Sequence, residues 1–357
     1  MEVKIVKKTD IGKLPIDFQD IGFGKIFSDH MFIMEYKNDN WSNATIEPFR
    51  KLNLSPAALV FHYGQEIFEG MKAFYQLETK GVSLFRPEMN AKRFVKSAKR
   101  IAMAPVPEDY FLEALHKLIN LDKHWTPKTL GTSLYIRPTE IATETALGLR
   151  SSKEYYFFVI LSPVGPYFTE GFRPIKIYVE PNYVRAVKGG IGESKTGGNY
   201  AASLIVMDRA TRAGCSAVLW LDAIEHKFVE EVGTMNQFFV IDDTIYTAPL
   251  DGTVLHGVTR DSIITLANDV GYKVKEERVS IDTIIETTKS GNLTEAFGCG
   301  TAASIAPVGE LSYMGNNHVI NNFQVGPIST KLYEILTGIQ YGTVNDQYGW
   351  NVPIKDE

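Results

Sequence analysis

The sequence predicts an α+β protein in two halves, and three observations support this fold class. Runs of β-branched and aromatic residues typical of strands recur along the chain, for example at residues 30–36 and 175–180. Apolar residues at helical spacing occur between such runs, as at residues 111–122. The length of 357 residues also exceeds one ordinary hydrophobic core, so two domains are expected.

The first half, residues 1–162, is predicted to form a small domain that mixes strands and helices. Its predicted strands are residues 30–36, 70–76, 82–87, 132–142 and 154–162. A helix is predicted where Phe111, Leu115, Leu118 and Ile119 recur at helical spacing. Residues 163–174 are rich in proline and glycine, so we predict the interdomain linker there.

The second half, residues 175–357, is predicted to form a larger domain. Its predicted strands are residues 175–180 and 217–222, with a hairpin that turns at Asp242 and Asp243. Its predicted helices are residues 198–214, residues 257–271 and a last helix that begins near Pro327.

Composition excludes several classes of protein. A formal net charge of -5 argues against a nucleic-acid-binding surface, which requires a basic face. Two cysteines are too few for a disulfide framework or a thiolate metal site, and we expect no metal. No apolar run approaches the length that spans a bilayer, and the first residues lack a signal-peptide core. A cytoplasmic protein is therefore expected.

The glycine-rich stretch VKGGIGESKTGGNYAAS, residues 187–203, carries the main functional signal. Gly189, Lys195 and Thr196 fall within one residue of the phosphate-binding pattern GxxxxGK[ST], and the strand that ends at Asp222 resembles the magnesium-binding strand of nucleotide hydrolases. Against a nucleotide site, Ser194 stands where that loop needs a glycine. Gly197 and Gly198 also interrupt the helix that should face the phosphate.

The alternative is that Lys195 reacts covalently with pyridoxal phosphate. That cofactor requires a carboxylate at its ring nitrogen and a backbone anion site for its phosphate. Glu230 and Glu231 stand in an otherwise apolar strand, and opposite faces of that strand should bury only one of them. The segments HGVTR and GCGTAA supply a helix start and a tight turn. Each feature alone has an ordinary structural explanation, and together they favour a cofactor site.

Longer motifs resemble one family. The second half contains KTGGNYAAS, VLWLD, EEVGTMNQFF, LHGVTR and EAFGCGTAASIAPV, and the first half contains FGKIFSDHMF, FHYGQEIFEGMKAF, LFRPEMNAKRF and GTSLYIRP. In their order along the chain, these segments are similar to the motifs of the branched-chain-amino-acid aminotransferases, which are pyridoxal-phosphate enzymes of fold type IV. The resemblance covers nearly the whole chain, from about Phe23. It implies a two-domain α+β fold whose larger domain binds the cofactor.

The resemblance also implies roles for residues around pyridoxal 5'-phosphate. Lys195 matches the lysine that binds the cofactor covalently and moves the substrate proton. Tyr200 matches the tyrosine at the phenolic oxygen, and Glu231, rather than Glu230, matches the acid at the ring nitrogen. The phosphate site is matched by Arg93, the amides of Val258 and Thr259, and the region of Thr301.

The same resemblance assigns the substrate pocket. The substrate carboxylate would meet Thr234 and the backbone near Ala302. Four residues, Phe23, Tyr63, Phe68 and Tyr135, would wall an apolar pocket, with Arg137 near its rim. Leu147 and Leu149 match a loop that reaches the pocket of a partner subunit, so a homodimer is implied.

The implied activity is transfer of the amino group between leucine, isoleucine or valine and 2-oxoglutarate, so the partners are small amino acids and 2-oxo acids. Another fold-type-IV enzyme, a D-amino-acid aminotransferase or an aminodeoxychorismate-type lyase, is the alternative, and a nucleotide-binding protein is a remote one. Some members carry a C-x-x-C pair whose positions are Ala303 and Ala306 here, so that form of thiol regulation should be absent.

Overall fold

The computed structural model describes residues 1–14, 23–165 and 171–355. Its strands, in chain order, are β1 (Lys4–Ile5), β2 (His30–Lys37), β3 (Asn40–Pro48), β4 (Glu66–Phe68), β5 (Met71–Tyr75), β6 (Val82–Phe85), β7 (Ser133–Ala142), β8 (Tyr155–Val164), β9 (Ile175–Glu180), β10 (Ala217–Leu221), β11 (Val229–Val232), β12 (Met235–Ile241), β13 (Thr244–Thr247), β14 (Lys273–Glu276), β15 (Leu293–Gly300), β16 (Ser304–Tyr313), β17 (Asn316–Val319) and β18 (Asn351–Pro353). Its α-helices are α1 (Leu59–Tyr63), α2 (Pro87–Arg100), α3 (Glu108–Asp122), α4 (Gly197–Ala201), α5 (Leu204–Arg212), α6 (Val258–Asp269), α7 (Ile281–Ser290) and α8 (Pro327–Tyr341). None of the helices in these described ranges is long and apolar enough to cross a membrane.

The chain divides into two compact units. Unit 1 comprises Met1–Thr169, Ser194–Gly197 and Gly338–Glu357, and unit 2 comprises Glu170–Glu193 and Gly198–Thr337. Two segments of the predicted second half, including the one with Lys195, thus group with the first unit. Within the predicted linker, residues 163 and 164 belong to β8, and residues 166–170 lie outside the described residues.

Unit 1 is built on a sheet with strand order β1-β3-β2-β8-β7-β5-β6-β18, and β4 pairs with β7. The strand β18 joins the sheet through Val352, which pairs with Leu84 of β6, so the C-terminal segment belongs to this unit. Helices α2 and α3 pack on the sheet, where the rings of Phe94, Phe111 and Phe157 lie 5.2–5.8 Å apart. The predicted helix at 111–122 is confirmed, because it buries its apolar stripe in this core.

Unit 2 contains a sheet with strand order β11-β10-β9-β16-β15-β12-β13-β14. An additional pairing of β11 with β12 closes six of these strands into a ring. The predicted hairpin is confirmed, since β12 and β13 pair across Asp242 and Asp243, whose φ angles are 46° and 58°. Two consecutive left-handed residues match the right-handed twist of the strands, and aspartate tolerates this conformation.

The single helix predicted at residues 198–214 is wrong in one respect. Two helices, α4 and α5, occupy this stretch and are separated at Ala202 and Ser203. The Ser203 hydroxyl donates to the Tyr200 carbonyl at 2.7 Å, which competes with the regular main-chain hydrogen bonds. Tyr200 consequently lies at the end of a short helix.

Glu140 is a buried acid that sequence analysis did not identify. It is fully buried in β7, where its cross-strand neighbours Ile67 and Phe157 are also fully buried. Neither of its carboxylate oxygens has a hydrogen-bond partner among the described residues. Burial therefore raises the pKa of Glu140 well above its ordinary value of 4.5.

We expect Glu140 to make stability fall with rising pH. Between the unfolded-state and folded-state pKa values the folded chain binds one more proton than the unfolded chain, so each pH unit costs about 1.4 kcal/mol of unfolding free energy. Glu140→Met should therefore gain stability over the wild type progressively as the pH rises above about 5, near the unfolded-state pKa of a glutamate. Urea unfolding of the holoenzyme at several pH values measures this difference.

The matched control is Glu78→Met, which changes an exposed acid in the turn between β5 and β6. Its difference from the wild type should not vary with pH. A pH-independent difference for Glu140→Met would contradict the assignment of a buried, protonated Glu140.

Candidate active site

In unit 1, Lys195 is held by the main chain on one side and by a helix on the other. The N–H of Phe68 in β4 donates to the Lys195 carbonyl at 3.0 Å, and the N–H of Lys195 donates to Ser97 Oγ of α2 at 3.0 Å. Thr196 Oγ1 donates to the Glu66 carbonyl at 2.7 Å. These hydrogen bonds fix the position of the Lys195 main chain, from which the half-buried side chain extends.

Gly197, two residues after this lysine, lies against the end of the Glu66 side chain. A Cβ at Gly197 would lie 1.6 Å from Glu66 Oε1, and the N–H of Gly197 donates to this carboxylate. Burial raises the pKa of Glu66, although the bond from Gly197 and the charge of Arg137 oppose the rise. Sequence analysis missed Glu66, and the two glycines after Lys195 were the available signal for a close approach at this point.

Phe68 lies against two cations. Lys195 Nζ is 5.0 Å and Arg137 Cζ is 4.7 Å from the centroid of its ring. Cations at such distances are stabilised by the electron-rich ring face. The aromatic wall predicted from Phe68 therefore also positions the two basic side chains.

The predicted pocket residues Phe23, Tyr135 and Arg137 lie together in unit 1. The rings of Phe23 and Tyr135 meet edge to face at 4.7 Å, and Arg137 Nη2 donates to the Tyr135 hydroxyl at 3.0 Å. Tyr135 and Arg137 share one face of β7, as the alternation of strand side chains predicts. Arg137 Nε is buried and has no hydrogen-bond partner among the described residues, and the charge of Arg137 acts on Glu66.

Tyr63, Leu147 and Leu149 form an exposed group on the same unit. The Tyr63 hydroxyl donates to the Leu147 carbonyl, and the three side chains are 41%, 65% and 81% exposed. Exposed apolar side chains grouped in this way are typical of surfaces that meet another protein chain.

Arg93, the predicted phosphate-binding arginine, is anchored by an acid that sequence analysis missed. Its Nε and Nη2 each donate to a different carboxylate oxygen of Glu69 at 2.7 Å, and Asn90 Nδ2 donates to the same carboxylate at 2.8 Å. Burial alone would raise the pKa of Glu69, but Arg93, with the charge of Lys195 and the hydrogen bond from Asn90, outweighs burial and the pKa is lowered. A buried arginine requires a counter-charge, which was the available signal for Glu69.

In unit 2, a pocket brings together three predicted site residues. Tyr200, Glu231 and Thr234 line this pocket together. The other residues that line it are Arg185, Asn199, Ser203, Gly233 and Leu255. Arg185 had not been identified from the sequence.

Glu231 is buried at the wall of this pocket and is held by three groups. Its Oε1 accepts the N–H of Leu255 at 2.8 Å and Asn236 Nδ2 at 3.2 Å. Its Oε2 lies 2.9 Å from Arg185 Nε, which forms an ion pair although the N–H does not point directly at the oxygen. The carboxylate is therefore fixed in place and has a counter-charge.

The predicted phosphate-binding elements of unit 2 are a helix start and a turn. Gly257 caps α6, and Val258 and Thr259 form its first turn, where main-chain N–H groups have no partner within the helix. A Cβ at Gly257 would lie 2.0 Å from Asn236 Oδ1, so the backbone approaches closely here. Thr301 and Ala302 are half-buried in the turn between β15 and β16.

The expectation that only one of Glu230 and Glu231 would be buried is wrong. Glu230 is 8% exposed and Glu231 is 3% exposed. The register of β10 and β11 shifts here, with Trp220 opposite Glu231 and Leu221 opposite Val229, so Glu230 is the extra residue of a β-bulge. The bulge breaks the alternation of faces, and all four residues of β11 are buried.

Asp222, which the nucleotide alternative assigned to magnesium, has a structural role. Its carboxylate accepts four main-chain N–H groups, from Ile224, Glu225, Lys227 and Phe228, at 2.8–3.2 Å. These bonds outweigh burial and lower the pKa of Asp222 to about 2. Asp222 thus closes the turn between β10 and β11.

Comparison with known proteins identifies the family. The family model for amino-transferase class IV matches residues 66–311. Branched-chain-amino-acid transaminase 1 of Bacillus subtilis (strain 168) is 49% identical over 350 residues, which cover 98% of this chain and 98% of the relative. Branched-chain-amino-acid aminotransferase 2 of the same organism is 48% identical over 350 residues, which cover 98% of this chain and 96% of that relative.

Solved structures agree with these relatives. The Escherichia coli branched-chain amino acid aminotransferase matches with a TM-score of 0.76 and 26% identity, over 92% of this chain and 99% of that chain. The T.th. branched-chain amino acid aminotransferase with pyridoxamine 5'-phosphate matches with a TM-score of 0.73 and 28% identity, over 90% of this chain and 98% of that chain. The predicted fold class is confirmed. The family model and the relatives show that this chain belongs to the class IV aminotransferases, in the group of branched-chain-amino-acid aminotransferases.

Proposed function

We propose that this chain transfers the amino group between leucine, isoleucine or valine and 2-oxoglutarate, with pyridoxal 5'-phosphate as cofactor. The observation that carries the proposal is the unit 2 pocket, where a fixed carboxylate, Glu231, faces the same space as Tyr200 and Thr234. Relatives that are nearly half identical over the full chain carry the name of this activity.

The residues present fit the proposed cofactor. Glu231 offers a buried carboxylate with a counter-charge from Arg185, which suits a protonated ring nitrogen. The start of α6 offers main-chain N–H groups at the positive end of a helix of 12 residues, which suits a phosphate. Solved structures of the T.th. relative contain pyridoxamine 5'-phosphate or N-(5'-phosphopyridoxyl)-L-glutamate. When bound, the cofactor supplies an electron sink for the charge that develops at the substrate Cα.

The chain's own residues then have distinct tasks. Lys195 Nζ would take the proton from the substrate Cα, and Glu231 would keep the ring nitrogen protonated. The Tyr200 hydroxyl would hold the phenolic oxygen, and Thr234 with the backbone at Ala302 would orient the substrate carboxylate. Arg93, Val258, Thr259 and Thr301 would bind the phosphate.

The side-chain pocket must accept two different substrates. Phe23, Phe68 and Tyr135 offer apolar surface to leucine, whereas the distal carboxylate of glutamate needs a charged partner. Arg137 has a buried donor that no described residue uses, and it lies against two of these aromatic rings. We infer that Arg137 binds the distal carboxylate.

A homodimer would complete this pocket. Tyr63, Leu147 and Leu149 are exposed on one chain, and we infer that this group reaches the pocket of a second copy. A rate screen of L- and D-amino donors with 2-oxoglutarate tests the proposed reaction. Turnover confined to D-amino acids, or absent for leucine, isoleucine and valine, would overturn it.

Lys195→Ala should lose transamination by several orders of magnitude, because one side chain is both the covalent anchor of the cofactor and the proton carrier. The absorbance of bound cofactor and the rate with leucine measure the two losses. Lys188→Ala, which changes an exposed lysine of the same glycine-rich stretch, is the control. Near-normal turnover in Lys195→Ala would refute the assigned role.

Gly197→Ala should destabilise the lysine segment, because its Cβ would displace the Glu66 carboxylate from the Gly197 N–H. We expect a loss of about 1–3 kcal/mol in unfolding free energy, the usual cost of leaving a buried polar group without its partner. Gly198→Ala is the matched control, since its Cβ would meet Ile191 at an ordinary 3.7 Å. Equal losses in the two variants would show that Glu66 does not restrict this position.

Arg137→Met should slow the half-reaction with glutamate roughly 10- to 100-fold. This factor corresponds to the free energy of one hydrogen bond to a charged group. The half-reaction with leucine should change much less, because its side chain needs no counter-charge. Single-turnover absorbance changes measure both half-reactions. Arg50→Met, at an exposed ion pair with Glu47, is the control. Equal losses with both substrates would mean that Arg137 maintains the pocket without binding the second carboxylate.

A further inference from the structure

Glu230 is the buried acid beside the proposed ring-nitrogen acid, and the proposed reaction leaves it without a role. It is 8% exposed within β11, and its Oε2 has no hydrogen-bond partner among the described residues. A buried carboxyl group with an unsatisfied oxygen costs stability, so its presence requires an explanation.

The two adjacent glutamates hold the same loop, residues 251–256, which leads into helix α6. The Thr253 side chain hydrogen-bonds the carboxyl group of Glu230, and the N–H of Leu255 donates to Glu231 at 2.8 Å. The loop is thus attached at two points, two residues apart. Its far end is Gly257, the cap of the proposed phosphate-binding helix.

Arg185 connects the same groups by charge. Its Nη2 donates to the Thr253 carbonyl, and its Nε lies 2.9 Å from Glu231 Oε2. Its positive charge also acts on Glu230. One guanidinium group therefore interacts with both carboxyl groups and with the loop that both of them hold.

The charge of Glu230 changes close to neutral pH. Burial raises its pKa to about 7, the Thr253 hydrogen bond and Arg185 oppose the rise, and the charges of Glu231 and Asp222 add to it. Asp251 is also near, with its Oδ1 at 3.5 Å from the Thr253 hydroxyl. While Glu230 is protonated, Arg185 and Glu231 balance each other, and once Glu230 is ionised the group carries a net negative charge.

We propose that Glu230 is a positioning residue that acts through Arg185 and Thr253, setting both the charge around Glu231 and the placement of the loop before α6. This inference rests on the proposed role of Glu231 at the ring nitrogen. Ionised Glu230 adds negative charge beside Glu231, so it strengthens the attraction for a protonated ring nitrogen. The cofactor should therefore bind more tightly when Glu230 is ionised.

The experiment compares pyridoxal 5'-phosphate binding to apo-protein for Glu230→Gln and the wild type from pH 6 to pH 8.5. Glutamine resembles the protonated acid, so the ratio of dissociation constants, variant over wild type, should be near one at pH 6. It should rise to about tenfold at pH 8.5, the effect of one pKa unit of coupling. The midpoint of the rise should lie near pH 7.

Thr253→Val provides a second measurement if Glu230→Gln folds poorly. Loss of the hydroxyl donor removes one group that lowers the pKa of Glu230, so the midpoint should move to higher pH. Glu225→Gln changes an exposed acid in the turn before β11 and should give a ratio near one throughout.

A ratio for Glu230→Gln that is constant across this pH range would overturn the inference, since a merely structural role predicts no pH dependence. So would an unmoved midpoint in Thr253→Val. Glu231→Gln separates the two claims. It should lose most of its rate at every pH, and wild-type turnover in Glu231→Gln would instead refute the proposed function.

Discussion

The attachment of the Lys195 segment to β4 is the constraint on which the reactive part of unit 1 depends. Residues 194–197 are followed and preceded in sequence by residues of unit 2, yet they are bonded to Glu66, Phe68 and Ser97. The hydrogen bonds to the N–H and carbonyl of Lys195 restrict its main chain, so the Cα from which its side chain extends has a fixed position. Gly197 lets the Glu66 carboxylate approach closely enough to accept its main-chain N–H.

Two contrasting kinds of buried acid occur among the described residues, besides acids such as Asp222 that main-chain N–H groups hold. Arg93 with Glu69 in unit 1 and Arg185 with Glu231 in unit 2 are buried pairs, in which each charge has a counter-charge. Removal of one member of such a pair leaves the other uncompensated, which usually costs several kcal/mol. Glu140 and Glu230 instead have unsatisfied oxygens and raised pKa values.

These two kinds of acid differ in what they can do. A paired acid keeps its charge across the physiological range and can serve as a fixed electrostatic partner. An acid with a raised pKa changes charge within or near that range, and its effect depends on what lies beside it. Glu140 lies beside buried apolar side chains, so we expect it to affect stability, whereas Glu230 lies beside a proposed catalytic group.

Patterns that depend on local chemistry were readable in the sequence. The alternation that places Tyr135 and Arg137 on one face, and the two aspartates of the β12–β13 turn, depend on neighbours in the chain and were predicted correctly. The motifs around Lys195 and Glu231 were sufficient for the family. Long-range partners were not readable: Glu69 for Arg93 and Arg185 for Glu231 are 24 and 46 residues away in sequence. The burial of Glu230 was missed because the bulge in β11 depends on how that strand pairs with β10, and no local pattern reveals it.

The role of Lys195 is the central claim, and the most direct measurement is the position of the cofactor after chemical fixation. Borohydride reduction of the holoenzyme converts the bond between a lysine and the cofactor into a stable one, and peptide mass spectrometry then locates it. The account predicts that the pyridoxyl group is found on Lys195, in the peptide that contains SKTGGNY, and on no other lysine. Recovery of the group on a different lysine, such as the nearby Lys188 or Lys72 of β5, would contradict it.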